Sequence, residues 1–510
     1  MRLLEFYTLR SGFAVQPERV RSTVSAGIPP AWGAALAVAD IVAFALAVVL
    51  ASLATSILRP FIFDNAPFGI IDGLVSWRLN IAAALCMGCL AMFWSKGLYT
   101  RRMPWWMQVQ SIARVALLLF LIDGFTSFAL KFPESRLLIV STWLAVLPLL
   151  VCLRWLTFRL AARFGGWKVP TVIIGDNATV SDLIYAFSND PGIGYDVQKV
   201  FLRDPNHADF DTGSLPASCR QIQVSSDMSG YERYVRRHPE FFYIISPDTF
   251  RGETKENIMN ILRETGAAYA IAPSTVGLGV YETEPSYFFG HDIMLLQSRM
   301  SNGFAEKIAK RAMDIAIAGT ALLFLAPLFA IVAGMLKFEG QGGTVFYGGK
   351  RIGYQGDYFS CWKFRSMEPD SDHLLHAYLA SDPQARADWE KYRKLPSDPR
   401  VTTRTARFIR KASIDELPQL WNVLMGDMSI VGPRPILEDE QSYFTIDALN
   451  EYMSVRPGLT GLWQVSGRNA TSFARRIHWD RWYIRNWSLW GDIVIIIKTP
   501  LVLLTGKGAH

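Results

Sequence analysis

Four long apolar stretches occupy most of the first third of this chain and most constrain what it can fold into. They cover residues 32–58, 79–98, 112–130 and 137–160. As a helix, each stretch is long enough to cross the hydrocarbon core of a bilayer, which takes about 20 residues. The pattern therefore predicts an N-terminal segment over residues 1–30, followed by a four-helix transmembrane bundle over residues 31–165.

Charged residues around these stretches predict the topology of the bundle. Lys and Arg residues cluster before the first stretch, between the second and the third, and at the end of the fourth. Arg154 is counted with the cluster at the end of the fourth stretch. Because cytoplasmic loops carry the excess of Lys and Arg, both ends of the bundle are predicted to be cytoplasmic. Asp40 and Asp123 interrupt apolar stretches, so they are predicted to face the bundle interior or to lie near an interface.

The net charge of +7 is compatible in principle with nucleic-acid binding. Much of the basic excess, however, flanks the apolar stretches, which is typical of membrane topology and of contact with anionic lipid. Membrane lipid is therefore predicted as a partner, and nucleic acid is not. Cys86 and Cys89 lie inside an apolar run with no second ligand pair nearby, so they are predicted to pack rather than to bind metal.

Strands and helices alternate in the region that follows. Short apolar runs at 169–174, 195–201, 241–245 and 269–271 predict strands, and the segments 180–187 and 256–264 predict helices. Alternation of this kind indicates a Rossmann-like α/β domain, over residues 168–290. The glycine fingerprint of a dinucleotide site is absent after the first strand, where Gly175 stands alone. Tyr195 and Lys199 are spaced as in dehydrogenases but fall on a predicted strand, so no nicotinamide cofactor is predicted.

A fifth apolar run, from 315 to 336, lies within residues 300–338 and contains Pro327. Proline inside a helix removes a hydrogen bond and bends the helix. Basic residues stand at both ends of the run, Arg311 and Lys337, which suits a hairpin that enters and leaves the membrane on one face. The prediction is a re-entrant, broken membrane helix with its bend at Pro327.

Two adjacent carboxylates, Asp415 and Glu416, begin another helix-like run. Pro418 suits a first helical turn, so the pair is predicted at a helix N-terminus, where free N–H groups and the helix dipole favour negative charge. The alternative is an ordinary capping box formed by Ser413 and Glu416. Downstream, Arg434 stands between two prolines on a stiff backbone, which suits a guanidinium that binds phosphate.

Several further motifs occur in order around this pair. Residues 363–367 read KFRSM, residues 398–402 read DPRVT, and residues 456–461 read RPGLTG. With the acidic pair and the Pro-Arg-Pro run, they cover residues 300 to 510. The chain resembles the bacterial sugar transferases, the monotopic phosphoglycosyl transferases. Its layout is similar to that of the large members, which prime polysaccharide or O-antigen synthesis on undecaprenyl phosphate.

The resemblance implies a reaction and roles for residues. A hexose 1-phosphate would pass from a UDP-hexose to undecaprenyl phosphate, with release of UMP, through a covalent intermediate on Asp415. Glu416, together with Asp415, would hold Mg²⁺. Arginines and a lysine at motif positions would contact phosphate groups. These predicted contacts are Arg410 and Arg434, with Lys363, Arg365, Arg400 and Arg456 as further candidates.

The resemblance also implies a place in the cell. The catalytic part, residues 339–510, would be a small α+β domain that faces the cytoplasm at the bacterial inner membrane. The α/β domain would be regulatory or structural, and a homodimer is expected by analogy with the family. The reaction would initiate synthesis of an exopolysaccharide, an O-antigen or a capsule.

The identity of the sugar and two other classes of function stay open at this point. The run 463–469 resembles galactose-1-phosphate transferases more than glucose-1-phosphate transferases, and UDP-glucose is the alternative donor. A membrane nucleotide-sugar dehydratase would need an intact glycine fingerprint and a helical YxxxK after residue 280, and the sequence has neither. A non-enzymatic scaffold of polysaccharide assembly would not require Asp415, Glu416 and Arg434.

Overall fold

A computed structural model describes residues 27–62, 76–129, 136–190, 192–203, 222–225, 229–250, 253–273, 284–287, 294–297, 303–339, 343–368, 371–392, 398–467 and 473–505. Most of the predicted N-terminal segment, and residues 468 and 469 of the run linked to the sugar, lie outside these ranges. The chain divides into two compact units, Met1–Ser274 and Thr275–His510.

Long apolar helices form the first part of unit one. They are α1 (Pro30–Ile62), α2 (Ser76–Ser95), α3 (Trp105–Ala129) and α4 (Arg136–Phe164). One hydrophobic core draws buried side chains from all of them, including Leu36, Phe93, Ile112 and Leu150. All four helices are long and apolar enough to cross a membrane. The predicted apolar helices are therefore confirmed, and their arrangement as a membrane-spanning bundle stays a prediction.

Two buried ion pairs explain the acidic residues in these helices. Asp40 accepts hydrogen bonds from Arg154, at 2.8 Å from Nε and 2.5 Å from Nη2. Asp123 accepts two from Arg78, at 2.9 and 3.1 Å. Both carboxylates therefore face the interior, as predicted. The assignment of Arg154 as a flanking charge was wrong, because its side chain is fully buried opposite Asp40.

The α/β part of unit one is a parallel five-stranded sheet in the order β3-β2-β1-β4-β5. Its strands are β1 (Val169–Gly175), β2 (Tyr195–Leu202), β3 (Gln223–Ser225), β4 (Phe242–Ile245) and β5 (Tyr269–Ile271). Its helices are α5 (Asn177–Asn189), α6 (Ser229–Arg237) and α7 (Glu253–Thr265). This strand order defines a Rossmann-like layer, so the predicted α/β domain is confirmed. The sequence analysis missed β3 and α6.

The N-terminus of α5 carries its own carboxylate. Asp176 caps the helix by accepting from the backbone N–H of Thr179 at 2.8 Å, and Thr249 Oγ1 donates to it at 2.9 Å. In dinucleotide-binding folds the pyrophosphate lies at this helix end. A carboxylate there repels an anionic ligand. Tyr195 and Lys199 lie on β2, as predicted.

Unit two begins with a hairpin and a long apolar helix. The hairpin pairs β6 (Glu284–Tyr287) with β7 (Met294–Gln297), and α8 spans Phe304–Phe338. Helix α8 is the fifth described helix that is long and apolar enough to cross a membrane. It is helical through Pro327 along its whole length. Its re-entrant path and its bend stay predictions.

The remaining elements of unit two form a small α+β domain. Its strands are β8 (Phe346–Ile352), β9 (Tyr358–Phe364), β10 (Ser429–Val431) and β11 (Gly458–Thr460). Its helices are α9 (Asp372–Ser381), α10 (Pro383–Tyr392), α11 (Arg404–Lys411), α12 (Gln419–Met425), α13 (Ile446–Met453), α14 (Leu462–Gly467), α15 (Phe473–Arg485) and α16 (Leu489–Thr505). β8 and β9 pair antiparallel, and β10 and β11 pair parallel. Side chains from α8, α12, β10 and α16 share one core, which includes Ala318, Leu420, Ile430 and Ile495.

Polar side chains of α8 attach it to this domain. Asp314 Oδ1 accepts the backbone N–H of Ile430 at 3.0 Å. Lys310 Nζ donates to Asp492 at 2.7 Å, and Arg311 donates to the carbonyls of Val423 and Leu424 at the end of α12. The apolar helix and the domain that follows it are therefore built as one piece.

Candidate active site

The acidic pair lies in a tight turn between α11 and α12. Ser413 takes a left-handed backbone conformation with φ 57°, and a 3-10 turn then covers Ile414–Glu416. Pro418, with φ −60°, is the residue that caps α12. Ser413 makes no side-chain capping hydrogen bond, so the capping-box alternative is wrong. The pair thus precedes a helix N-terminus, one turn away from it.

Asp415 is a carboxyl with a raised pKa. Burial and the neighbouring Glu416 raise the pKa of Asp415 to about 6, and the cations Lys363 and Arg410 oppose that shift. At neutral pH the carboxylate form still dominates, and it is more basic than an ordinary aspartate. A carboxylate in this state is suited to act as a nucleophile.

Glu416 is held by a lysine from the neighbouring hairpin. Lys363 Nζ lies 2.7 Å from Glu416 Oε1, and both side chains are about three-quarters buried. Lys363 projects from one face of β9, while Phe364 on the other face is buried against Phe329 and Phe346. Because side chains alternate between the two faces of a strand, the packing of Phe364 places the Lys363 ammonium on the opposite face, beside the acidic pair.

A small polar cavity, partly open to solvent, lies next to Glu416. Arg434 reaches its wall from the Pro-Arg-Pro run, and its guanidinium lies 5.6 Å from the centre of the Trp463 ring. The cavity is lined by Arg351, Cys361, Lys363, Glu416, Gln419, Arg434, Pro435, Gly458, Leu459 and Gln464. Three cations and one carboxylate therefore face a space that suits a phosphate-bearing ligand.

The structure brings some of the other predicted cations to this region. Arg410 acts on Asp415 through its charge and lies 3.8 Å from Asp398. Arg400 makes the stronger pair with Asp398, at 2.9 Å. Burial raises the pKa of Asp398, but the hydrogen bonds and charges of Arg400 and Arg410 outweigh it, so the net pKa is lowered. Asp398 thus remains ionised and links Arg400 to Arg410.

Two predicted cations lie elsewhere. Arg456 donates to the backbone carbonyl of Gly426 at 2.8 Å, and Arg365 donates to the backbone carbonyl of Thr344 at 2.8 Å. Neither one lines the cavity. In the structure, both side chains hold backbone segments, and their predicted phosphate contacts stay predictions.

Three cavity residues escaped the sequence analysis. Arg351 lies on β8, across the hairpin from Phe359. Gln419 is buried at the start of α12, and Gln464 is buried on α14. Gln464 does belong to the run that was linked to the sugar, but no spacing in the sequence indicated that it lines the same cavity as Arg434. Strand pairing and the fold of the 458–464 segment, rather than any local pattern, bring these residues together.

The donor set at the pair fits a hard divalent cation such as Mg²⁺. Asp415 and Glu416 supply carboxylate oxygens, and the described residues contain no group of three or more His, Cys, Asp or Glu side chains that could hold a metal alone. Magnesium is commonly bound by one or two carboxylates, with water and substrate phosphates completing its shell. The pair can therefore supply the protein's share of such a site.

The fold and the site together define a membrane-associated transferase. The bacterial sugar transferase family model matches residues 305–506. The undecaprenyl-phosphate galactose phosphotransferase of Salmonella typhimurium is 36% identical over 88% of this chain and 92% of its own length. The UDP-galactose-lipid carrier transferase of Erwinia amylovora is 33% identical over 93% and 97%. The UDP-glucose:undecaprenyl-phosphate glucose-1-phosphate transferase of Escherichia coli is 28% identical over 86% and 92%. The chain belongs to the bacterial sugar transferase family, as its motifs indicated.

Proposed function

We propose that this enzyme transfers a hexose 1-phosphate, with galactose as the preferred sugar, from a UDP-hexose to undecaprenyl phosphate, with release of UMP. The observation that carries the proposal is the Asp415–Glu416 pair, which interacts with Lys363 and Arg410 beside a cavity that also contains Arg434. Two relatives that cover most of the chain are named for galactose, which supports that sugar. UDP-glucose is the second candidate donor, because a relative of similar coverage is named for glucose.

The chemistry is two displacements at one phosphorus atom. A carboxylate oxygen of Asp415 attacks the phosphorus that bears the sugar, the bond from that phosphorus to the UMP oxygen breaks, and UMP leaves. An oxygen of undecaprenyl phosphate then attacks the same phosphorus, and the bond to Asp415 breaks. The carboxylate is regenerated, and the lipid carries a sugar diphosphate. Kinetics of this kind are ping-pong.

The chain's own residues supply charge and position. Lys363, Arg410 and Arg434 neutralise phosphate oxygens, which is the main demand of phosphoryl transfer. Lys363 also fixes Glu416, so that the pair keeps one arrangement. Mg²⁺ held by Glu416 and Asp415 would neutralise the diphosphate and the departing UMP.

The membrane part of the proposal concerns where this chemistry takes place. Both ends of the α1–α4 bundle lie in the cytoplasm. Helix α8 enters and leaves the inner membrane on one face, with its bend at Pro327. The catalytic domain meets the lipid phosphate from the cytoplasmic side. Basic residues at both ends of α8 support this path, since a full crossing would separate the domain from cytoplasmic nucleotide sugars. The product starts an exopolysaccharide, an O-antigen or a capsule, and the enzyme acts as a homodimer.

The test is UMP release by the full chain in nanodiscs, with undecaprenyl phosphate, Mg²⁺ and a panel of UDP-sugars. Asp415→Asn is compared with Asp447→Asn. Asp447 is exposed on α13, so this control makes the same substitution outside the candidate site. We expect release with one UDP-hexose by wild type and by Asp447→Asn, and loss on the order of 10⁴-fold or more in Asp415→Asn. Release by folded Asp415→Asn at the wild-type rate would refute the covalent role. No release by wild type with any donor would favour a scaffold.

A further inference from the structure

A buried polar cluster lies behind the wall of the cavity. Its members are Arg476 and Asp480, one turn apart on α15, and Trp463 and Gln464 on α14. Asp480 is 4% exposed and Arg476 is 8% exposed. Arg476 Nη2 forms an ion pair with Glu440 Oε1 at 3.6 Å, and its guanidinium lies 3.9 Å from the centre of the Phe473 ring. Charged side chains are seldom buried this deeply, so the cluster calls for an explanation.

Each member of the cluster has a buried polar atom without a hydrogen-bond partner among the described residues. These atoms are Trp463 Nε1, Gln464 Oε1, Arg476 Nη2 and Asp480 Oδ1. A buried polar atom left unpaired is costly, and several such atoms in one place usually serve a function. Gln464 lines the cavity itself, so the cluster reaches the ligand space.

Arg434 is the link between the cluster and the cavity. Its guanidinium lies 5.6 Å from the centre of the Trp463 ring, and that of Arg476 lies 5.8 Å from the same ring. Two cations that share one aromatic ring repel each other. The backbone N–H of Arg434 and its charge both act on the Asp480 carboxyl, as does the charge of Arg476. Asp480 is therefore the acidic group that faces both arginines.

The backbone around Arg434 is fixed independently. Gly458 N–H donates to the carbonyl of Pro433 at 2.8 Å, and Gly432 N–H donates to that of Thr460 at 3.0 Å. With the backbone fixed, the direction of the Arg434 guanidinium depends on the groups around its side chain. These groups are the face of the Trp463 ring and the charged side chains of α15.

We propose that Asp480 is a positioning residue, which holds the Arg434 guanidinium on Trp463 and turned toward the cavity, so that Arg434 receives the diphosphate of the nucleotide sugar. The inference rests on the proposed function for the identity of that ligand. In its ionised form, Asp480 offsets the repulsion between Arg434 and Arg476, which would otherwise drive the Arg434 side chain away from the ring. Asp480 acts through Arg434 and need not touch the substrate.

The test is a double-mutant cycle of Asp480→Asn and Arg434→Ala in the full chain in nanodiscs. The binding probe is UDP with Mg²⁺, followed by calorimetry, and the kinetic readouts are kcat and KM for the donor that wild type uses. If Asp480 acts through Arg434, Asp480→Asn weakens UDP binding by about 5- to 50-fold in the wild-type background and by less than about 2-fold in the Arg434→Ala background. Asp447→Asn leaves UDP binding unchanged in both. The donor KM rises in Asp480→Asn by a similar factor.

The outcomes separate this inference from others. A purely structural role gives the same loss in both backgrounds, and that result would overturn the proposal, as would no loss in either. If Asp480→Asn does not fold, Asp480→Ser takes its place, since a small hydroxyl can still accept the Arg434 N–H without the charge. If wild type binds UDP but releases no UMP, the proposed function fails while the UDP cycle still decides the role of Asp480.

Discussion

The ammonium of Lys363 lies 2.7 Å from Oε1 of Glu416, and the partner of that glutamate in the acidic pair is Asp415. A cation from a β-hairpin thus lies beside two adjacent carboxylates in a turn. Its charge, together with that of Arg410, opposes the burial and the Glu416 charge that raise the pKa of Asp415. The hairpin is therefore part of the catalytic site as well as its scaffold.

Removing that cation should disable the enzyme without unfolding it. In Lys363→Met the aliphatic stem remains, so packing on β9 changes little, but Glu416 loses its ion pair and the phosphate loses a positive charge. We expect kcat/KM for the UDP-sugar to fall on the order of 10²-fold. Lys350→Met, on the neighbouring strand β8, is the matched control and should stay within about twofold. Equal activity of the two variants would contradict the assignment.

Arg434 and Arg456 both stand in proline-containing motifs, but we expect their substitution to lower activity to different extents. Arg434 lines the cavity, whereas Arg456 donates to the carbonyl of Gly426. Arg434→Lys loses the planar fork that binds phosphate, so kcat/KM should fall by about 10- to 100-fold. Arg456→Lys should change it by less than about threefold, because the lysine can still reach a carbonyl. Steady-state UMP release measures both, and the reverse order would refute the placement.

The stability of the catalytic domain should depend on pH through Asp480. Burial raises the pKa of Asp480 to about 7, with Arg476 and Arg434 opposing the shift. An ordinary aspartate in the unfolded chain has a pKa of about 3.9. Between these values the folded state binds more protons than the unfolded state, so the free energy of unfolding falls as pH rises.

That fall should be absent from Asp480→Asn, whose side chain does not titrate. The difference in apparent melting temperature, wild type minus Asp480→Asn, should decrease from pH 5 to pH 8 and then level off. The corresponding change in unfolding free energy is on the order of 1–4 kcal/mol. Asp447→Asn should track wild type at every pH. A constant difference across this range would mean that the carboxyl does not titrate there.

In the helical region, breaking the Asp40–Arg154 pair should be more costly than removing it entirely. Arg154→Met leaves a buried carboxylate without its partner and should lower stability by about 3–5 kcal/mol. The double variant Arg154→Met with Asp40→Asn should recover part of that loss, because no charge stays buried. Arg159→Met, an exposed position on α4, is the control. Thermal unfolding in detergent measures all three, and an unchanged Arg154→Met would argue against the ion pair.

The left-handed residue before the acidic pair should tolerate glycine and reject valine. Ser413 has φ 57°, a conformation that costs a β-branched residue most. Ser413→Gly should stay within about 1 kcal/mol of wild type, and Ser413→Val should lose about 2 kcal/mol. Ser454, with φ −76°, is the matched position, where valine should cost less than at 413. Equal valine effects at the two sites would show that Ser413 is not strained.

Hydropathy and periodicity predicted much of this fold because those signals are local. The apolar helices, four of the five strands of the parallel sheet and the position of the acidic pair just before a helix all follow from short windows of sequence. The prediction for Arg154 failed because it depends on a contact between residues far apart in the sequence. Arg154 reads as a flanking charge until Asp40 from another helix is placed opposite it. The three-residue β3 is too short to stand out.

In the candidate site, too, short motifs identified some residues, and only the tertiary structure identified others. Glu416, Lys363 and Arg434 stand in recognisable motifs and line one cavity, and Asp415 precedes Glu416 in the sequence. Arg456 stands in an equally clear motif, yet it supports the backbone at Gly426. Asp480 and Arg476, spaced one turn apart on α15, belong to none of these motifs. Only the packing of α15 reveals that they are buried behind Arg434.

The attachment of α8 sets a limit on how this enzyme can be shortened. Asp314, Lys310 and Arg311 satisfy a backbone N–H of β10, the buried carboxylate of Asp492 and the last carbonyls of α12. A fragment that begins after Phe338 would leave the N–H of Ile430 and the last carbonyls of α12 without these partners, and Asp492 without its cation. Removing α8 would therefore destabilise the domain that carries the acidic turn, and this domain depends for its folding on an apolar helix long enough to cross a membrane.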